Sequence, residues 1–318
     1  MHEFELIKTY FSKLSKFNKS SLDLNDDVFF DKKNSLVITV DTYNQGVHFL
    51  NFKKPELVIK KIIRSSISDL ICKGVIPKYY FISGSGNKNT FSNNNVLKIT
   101  KSLADEQKKY KIFLSGGDTT FSNKLSFTIT TIGFSKKIIY RNKAKLNDDI
   151  YVTGNLGDSF TGLQILKNKI KVKKKIKDYF IKKYYQPDIH RNLTKKLFNF
   201  ANTSIDVSDG LLSDLEKMIN NQNLSYELNE NDIPISRYLF NLIKRKKLSK
   251  YKLISNGDDY QVLFTANPTK SRIIFNTSKN LGIKITKIGK INSGRRKSLI
   301  LGQKDREILL KNKGYIHQ

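Results

Sequence analysis

The chain has 318 residues, 38% of them hydrophobic, and a formal net charge of +30. That is enough to bury the core of one large domain or of two ordinary ones. A single cysteine, Cys72, excludes an intrachain disulfide and fits a reducing compartment, and the absence of an eighteen-residue apolar run excludes a membrane-spanning helix. Met1-His2-Glu3-Phe4-Glu5 lacks the basic and long apolar regions of a secretion signal, so a soluble cytoplasmic protein is expected. Such a charge ordinarily points to nucleic acid. Here the lysines come with abundant Asn and Ile along the whole chain, as an AT-rich coding sequence produces. The densest runs, Lys171–Lys175 and Lys244–Lys247, read as solvated helix faces, so no specific nucleic-acid partner is expected.

In chain order, residues 3–17 read as a short amphipathic helix with Phe4, Ile7, Phe11 and Leu14 on one face. Leu36–Val40 is a β-rich run stopping at Asp41. Pro55 opens a helical pattern that runs past Asp69 to Cys72, with Gly74 ending it. Tyr79–Ile82 reads as a strand and Ser83–Asn87 as a loop. A helix over 93–109 is followed by the strand Ile112-Phe113-Leu114 and a turn at Gly116-Gly117-Asp118, because paired glycines permit a sharp turn. Leu125–Gly133 reads as a further strand, which completes an α/β unit.

The polar break at Leu146–Asp149 leads to a second unit. Its strands are Ile150–Gly154, Ala201–Val207 and Tyr260–Thr265, and helices begin at Phe160 and Leu211. The domain boundary is placed near residue 143, giving units of 1–142 and 143–318.

Acids recur beside apolar or small residues: Asp26-Asp27, Asp41, Asp69, Asp118, Asp206, Asp209, Asp258-Asp259. Carboxylates at strand ends suit Mg²⁺, which takes oxygen ligands and usually phosphate oxygens as well. The histidines, at 2, 48, 190 and 317, are scattered, which argues against zinc. No P-loop, no dinucleotide fingerprint and no nucleophile elbow is present. The residues by themselves therefore suggest metal-assisted handling of a polyphosphate, and no more.

Taken together, six motifs resemble the thiamine-monophosphate kinase family of ATP-binding PurM-like proteins, which also include aminoimidazole ribonucleotide synthetase and selenophosphate synthetase. They are the opening Glu3–Ile7, Val40-Asp41-Thr42 with Gly46-Val47-His48-Phe49, Ser68-Asp69-Leu70 with Gly74 and Pro77, Gly116-Gly117-Asp118-Thr119-Thr120, Tyr151–Gly154 with Gly157-Asp158-Ser159, and Ile205–Leu211. Each is weak alone; in the family's order and across nearly the whole chain they are strong. Selenophosphate synthetase would need a reactive cysteine near the N-terminus, and Cys72 does not supply it.

The resemblance implies a two-domain α/β PurM-like fold, a homodimer, and ATP- and Mg²⁺-dependent phosphorylation of thiamine monophosphate by direct transfer, without a covalent intermediate. It implies that Asp27, Asp41, Asp69, Asp118 and Asp206 ligate several Mg²⁺ ions, with Thr39 beside them, the Val40 backbone in reach and Asp209 on a further ion. Gly117, Asp118, Arg141 and Ser208 would contact ATP; His48, Asp258 and Tyr315 would contact thiamine monophosphate.

The bland readings are a structural histidine at 48, a surface cation at 141, a packing aromatic at 315 and a structural turn at Gly154 and Gly157. Asn25 and Asn256 stand where the family has Gly; Asn tolerates positive φ, so both turns are expected to survive. Asp258 stands where the family has Glu. Two other classes remain open: a PurM-like enzyme with a different phosphate acceptor, and a basic nucleic-acid-binding protein on the same fold, which would gather its cations in one groove.

Overall fold

The computed structural model describes residues 3–302 and Glu307. Two sheets organise it. The first half contributes α1 (Glu3–Leu6), β1 (Phe29–Asp31), β2 (Leu36–Asn44), α2 (Pro55–Cys72), β3 (Pro77–Gly86), α3 (Asn93–Tyr110), β4 (Phe113–Phe121) and β5 (Ser126–Phe134). Its strands form a five-stranded sheet in the order β1-β2-β5-β3-β4, with β4 parallel to β3 at one edge. The second half contributes β6 (Asp149–Thr153), α4 (Asp158–Leu166), α5 (Lys174–Tyr185), β7 (Ala201–Asp206), α6 (Leu211–Ile219), β8 (Leu224–Asn229), α7 (Arg237–Lys246), α8 (Lys250–Ile254), β9 (Val262–Ala266), α9 (Ser271–Leu281), β10 (Ile285–Ser293) and β11 (Leu299–Leu301). These strands order as β11-β8-β10-β6-β9-β7.

Helix α2 is the piece the two halves share. Pro55 starts it, where a missing N–H costs nothing, and Gly74 follows it at φ +78. Most of its side chains are buried, because it packs against β2, β5 and α3 on one side and against β7 and α5 on the other. Val58, Ile59, Ile62, Ile63 and Ile67 share one core with Tyr80, Phe127 and Ile129, and Tyr184 and Tyr185 of α5 close it. Arg64 pins α2 to α3 through a two-pronged pair with Glu106, at 2.8 and 2.9 Å, and donates to the Pro187 carbonyl of the second half at 3.2 Å. A second core lies between the larger sheet and α6, around Ile150, Val152, Leu215 and Ile288.

Several expectations are corrected. The N-terminal helix is short: α1 passes into one π turn, Ile7–Phe11, and the chain then turns away. Beyond it Leu14 is 82% and Phe17 94% exposed. An apolar period alone does not supply a surface to pack on. β2 does not stop at Asp41 but runs on to Asn44, and β3 absorbs the expected loop as far as Gly86.

Most consequential, Gly116-Gly117-Asp118 is not a turn. β4 runs through it to Phe121, with Gly116 at φ +150 and Gly117 at φ +154. The need for glycine at 117 is a close approach rather than a bend, since a Cβ there would sit 1.8 Å from the Ile82 carbonyl oxygen. Nor do the two asparagines use the left-handed region: Asn25 has φ −118, and near Asn256 the positive φ values fall on Gly257, Asp258 and Tyr260.

Gly117→Ala is therefore expected to peel β4 from β3. Hydrogen exchange would show amides 117–121 exchanging at least about tenfold faster while β2 and β5 keep their protection, the pattern of a local opening. Unchanged exchange in β4 would show that the strand tolerates the side chain.

Candidate functional site

The C-terminal half of α2 carries Ser68 and Asp69 to the ends of β2 and β7. Thr39 and Tyr43 on β2 face inward, and period-two alternation puts Asp41 on the same side. The Thr39 hydroxyl donates to Asp69 Oδ2 at 2.6 Å, the Tyr43 hydroxyl to Asp41 Oδ2 at 3.2 Å, and the Ser68 hydroxyl to Asp206 Oδ2. Asp41, Asp69 and Asp206 thus meet in one buried place where their nearest donors are hydroxyls.

The electrostatics follow. Burial pushes the Asp41 carboxyl up to about 6, against the opposing hydrogen bonds from Tyr43 and Ser66. Burial, then the charges of Asp41 and Asp206, hold Asp69 well above the ordinary range. Burial also raises Asp206, with the Ser68 hydrogen bond opposing and Asp41 adding to the rise. Three acids that repel one another in a low-dielectric pocket favour a cation or protons. Even so, among the described residues no three acid, His or Cys side chains converge closely enough to hold a metal ion unaided.

Beside this cluster lies a compensated one. The Lys73 ammonium, fully buried, is 2.7 Å from Asp26 Oδ1 and 2.8 Å from Asp27 Oδ2. Arg141 pairs with Asp27 through Nη2 and through Nε at 3.1 Å, and its backbone N–H donates to Asp26 Oδ2 at 2.9 Å. Asp209 pairs with Lys217, and Lys217 also reaches Asp214 at 3.2 Å.

A third group surrounds Asp258, on a loop strapped to the turn after β7. The Asp258 N–H donates to the Ser208 carbonyl at 2.7 Å, and Tyr260 N–H to the Val207 carbonyl at 2.8 Å. Gly257 must lack a side chain here, because a Cβ would stand 1.9 Å from the Ser208 oxygen. Asp258 at φ +63 and Tyr260 at φ +51 hold a conformation rare for such side chains, and strain of this kind concentrates at ligand sites. The Asp258 carboxylate is 2.7 Å from Lys61, an ion pair outside good hydrogen-bond alignment, and accepts the Tyr260 hydroxyl at 3.1 Å. Lys61 is fully buried over the Tyr184 ring, 3.8 Å from its centroid, and the Tyr184 hydroxyl donates to the His48 carbonyl at 3.3 Å. His48 accepts the Asn44 N–H on Nδ1 at 3.0 Å. His48 and Asp258, from opposite halves, are therefore joined through Tyr184 and Lys61.

The structure thus gathers Asp27, Thr39, Asp41, Asp69, Arg141, Asp206, Ser208, Asp209 and Asp258 where the halves meet. It does not bring Asp118 into the buried cluster. Asp118 is in register with Ser83, which aligns through Thr128 with Thr42, so this row lies on the exposed face of the sheet. Asp41 lies on the other face, with β5 and β3 between its strand and β4. Val40 is exposed beside Asp41. Tyr315 lies outside the described residues. Gly157 is confirmed as part of a structural turn: its N–H, at 2.7 Å, donates to buried Asp259, which also caps α4 at Ser159.

A cavity of about 540 Å³ lies elsewhere, between the approach to α5 and α7, and contains none of these residues. Sequence reading misses Lys61 and Lys73, the two buried lysines. The one available signal is their place in an otherwise apolar helix and at its end, and in a chain with 58 Lys and Arg that signal is drowned.

Comparison with known proteins gives the chain's relatives. A family model described as AIR synthase related protein, N-terminal domain, matches residues 25–135. A thiamine-monophosphate kinase of Buchnera aphidicola subsp. Schizaphis graminum is 36% identical over 324 residues, covering 99% of this chain and 98% of that one. One of Haemophilus influenzae is 36% identical over 300 residues, covering 92% and 90%. A solved structure described as AaThiL complexed with AMPPCP and TMP superposes with a TM-score of 0.85 at 25% identity, over 100% of this chain and 97% of that one. With full-length identity of this order, two PurM-like sheets and the acids gathered at the junction of the halves, the chain belongs to the thiamine-monophosphate kinase family.

Proposed function

We infer that the chain transfers the γ-phosphoryl group of ATP to the phosphate of thiamine monophosphate, giving thiamine diphosphate and ADP. The observation that carries this is the meeting of Asp41, Asp69 and Asp206, whose carboxyls burial holds raised, with the Asp258 loop at the junction of the halves, in a chain of this family. Two halves divided near residue 143 would each present one side of the site.

An oxygen of the substrate phosphate forms the new bond to the γ-phosphorus as the β–γ bridging bond breaks and its electrons pass to ADP. The attacking oxygen is already anionic, so no general base is required, and direct in-line transfer is the economical course. Two polyanions must approach, and their repulsion is the barrier the protein has to lower. Hard oxygen donors with unbalanced charge fit Mg²⁺, so Asp41, Asp69 and Asp206, with the Thr39 hydroxyl beside them, would hold it, and bound Mg²⁺ would supply neutralisation of the phosphates. Arg141 and the Ser208 turn face the same region and would orient ATP. Asp258 would meet the cationic thiazolium, with His48 across the same pocket.

Pairing of two copies through the open face of the smaller sheet belongs to this reading. On that face Phe113 of β4, Phe81 of β3, Phe134 of β5 and Val40 of β2 are exposed, and Phe81 and Val40 align across Thr130 in one row. Apolar exposure of this extent marks an interaction surface. A cytoplasmic setting, consistent with a lone, buried, free Cys72, completes it; among the described residues no helix is long and apolar enough to cross a membrane.

Purified protein given ATP, Mg²⁺ and thiamine monophosphate should form thiamine diphosphate and ADP in equal amounts. Release of ADP with free phosphate and no diphosphate product would defeat the kinase reading and favour a synthetase-like relative.

Asp258→Ala should raise KM for thiamine monophosphate by about ten- to a hundredfold, the scale of a charged hydrogen bond. KM for ATP should hardly move. A weakened KM for ATP with the acceptor unaffected would place Asp258 on the nucleotide side.

In sedimentation the native chain should run as a dimer, and Phe81→Lys with Phe113→Lys should yield a folded monomer. A native monomer at tens of micromolar would rule out pairing through this face.

A further inference from the structure

We propose that Lys73 is a built-in cation that takes the place of a metal ion between Asp26 and Asp27, so that this corner of the acid cluster binds no divalent ion. This rests on the reading of the neighbouring acids as a Mg²⁺ site and departs from the role that family resemblance implies for Asp27.

The contrast between adjacent groups of acids carries the argument. An ammonium has three donors. Lys73 reaches from the end of α2 and directs its Nζ at three oxygens: Asp26 Oδ1 at 2.7 Å, Asp27 Oδ2 at 2.8 Å and the Ser204 carbonyl at 2.9 Å. The side chain has no exposed surface, so water does not compete for these contacts. On the acid side, saturation is equally complete. Asp27 has both oxygens engaged, Oδ1 by Arg141 Nη2 and Oδ2 by Lys73 and Arg141 Nε. Asp26 has Oδ1 engaged by Lys73 and by the Asp27 N–H at 2.8 Å, and Oδ2 by the Arg141 N–H at 2.9 Å. Two carboxylates meet two organic cations, and the charge closes.

The neighbouring acids are different. Asp41, Asp69 and Asp206 accept hydrogen bonds from Tyr43, Thr39 and Ser68, which bring donors without charge; the charge of Lys73 acts on Asp69 and Asp206, and that of Arg141 on Asp206, without a direct ion pair, and burial still holds all three carboxyls raised. A divalent ion gains most where negative charge is unbalanced. For a metal to take Asp27 it would have to displace Lys73, whose side chain is fully buried, from its acids, leaving a buried ammonium without its partners, a strongly unfavourable exchange. The carboxylates also outweigh the effect of burial on Lys73 and hold its ammonium above the ordinary lysine range. The tethered charge then serves the electrostatic purpose of an ion, adjacent to the phosphate-handling acids, without depending on the metal concentration.

The test is the number of Mn²⁺ ions bound per chain, counted by equilibrium dialysis with spin-resonance detection of free Mn²⁺, a readout independent of turnover. The native chain and Asp27→Asn should bind equal numbers. Lys73→Met should bind one more, and adding Asp27→Asn to it should abolish that extra ion. A drop of one on Asp27→Asn in the native background would overturn the proposal, as would an unchanged count in folded Lys73→Met. Should Lys73→Met fail to fold, Lys73→Gln keeps a donor toward Ser204 and is read in the same way, and the comparison of native chain with Asp27→Asn decides independently. Asp69→Asn serves as the separate control: if it leaves the native count unchanged, the metal role of the neighbouring acids fails, while the Lys73 comparisons still stand or fall on their own results.

Discussion

The burial of like charges at the junction of the two halves is the constraint on which the rest of this molecule depends. Asp41 comes from β2, Asp69 from α2 and Asp206 from β7, three elements with no local reason to meet. Removing a carboxylate from water costs several kcal/mol even after relaxation, and three together raise one another's proton affinity. The protein offsets part of this with hydroxyls and with the nearby charges of Lys73 and Arg141, and all three carboxyls stay raised above their ordinary range. Next to it, Asp26 and Asp27 carry the same chemical groups in a charge-balanced setting. Adjacent parts of the fold therefore hold an acid pair in direct contact with Lys73 and Arg141 and an acid cluster that meets those cations only at longer range.

Helix α2 makes this arrangement possible. It is apolar enough to sit within the combined core, yet it carries Lys61, Arg64, Ser68 and Asp69 at fixed positions along its length. Each has a partner in another element: Asp258 for Lys61, Glu106 and the Pro187 carbonyl for Arg64, Asp206 for Ser68, Thr39 for Asp69. A buried polar group without its partner is penalised, so Lys61 with Asp258, Arg64 with the Pro187 carbonyl and Ser68 with Asp206 tie the second half to the first. Lys61 deepens the point. It links the Asp258 loop to the α5 aromatic Tyr184, whose hydroxyl bonds to the backbone at His48, so one chain of contacts runs from Asp258 to His48.

The acid positions are legible in the chain as a set: their repetition beside glycines, hydroxyls and apolar runs points to cation and phosphate chemistry, and motif order points to the family. The α/β character, the course of α2 from Pro55 to Cys72, the helix over 93–110 and most strand positions are legible as well, because apolar periodicity and glycine or proline punctuation act locally. What misleads is local too. Gly116-Gly117 carries a turn's composition but forms a strand, since the demand for glycine at 117 comes from the Ile82 carbonyl on the adjacent strand. The first seventeen residues carry a helix's period, yet Phe11, Leu14 and Phe17 are left exposed. Asn25 and Asn256 carry the conformational freedom of asparagine and make no use of it.

By itself, then, the sequence determined the family, the chemistry available to the chain and the identity of its acids, because those rest on residue types and their order. Only the tertiary structure decided which acids share a pocket, which are neutralised and which face outward. Asp27, Asp41 and Asp118 are indistinguishable as aspartates at the ends of apolar runs. Their surroundings are set by strand order, by the side of the sheet each residue faces, and by where the ends of two long basic side chains, Lys73 and Arg141, come to rest. Those quantities depend on contacts between residues more than a hundred positions apart, such as Ser68 with Asp206 and Arg141 with Asp27.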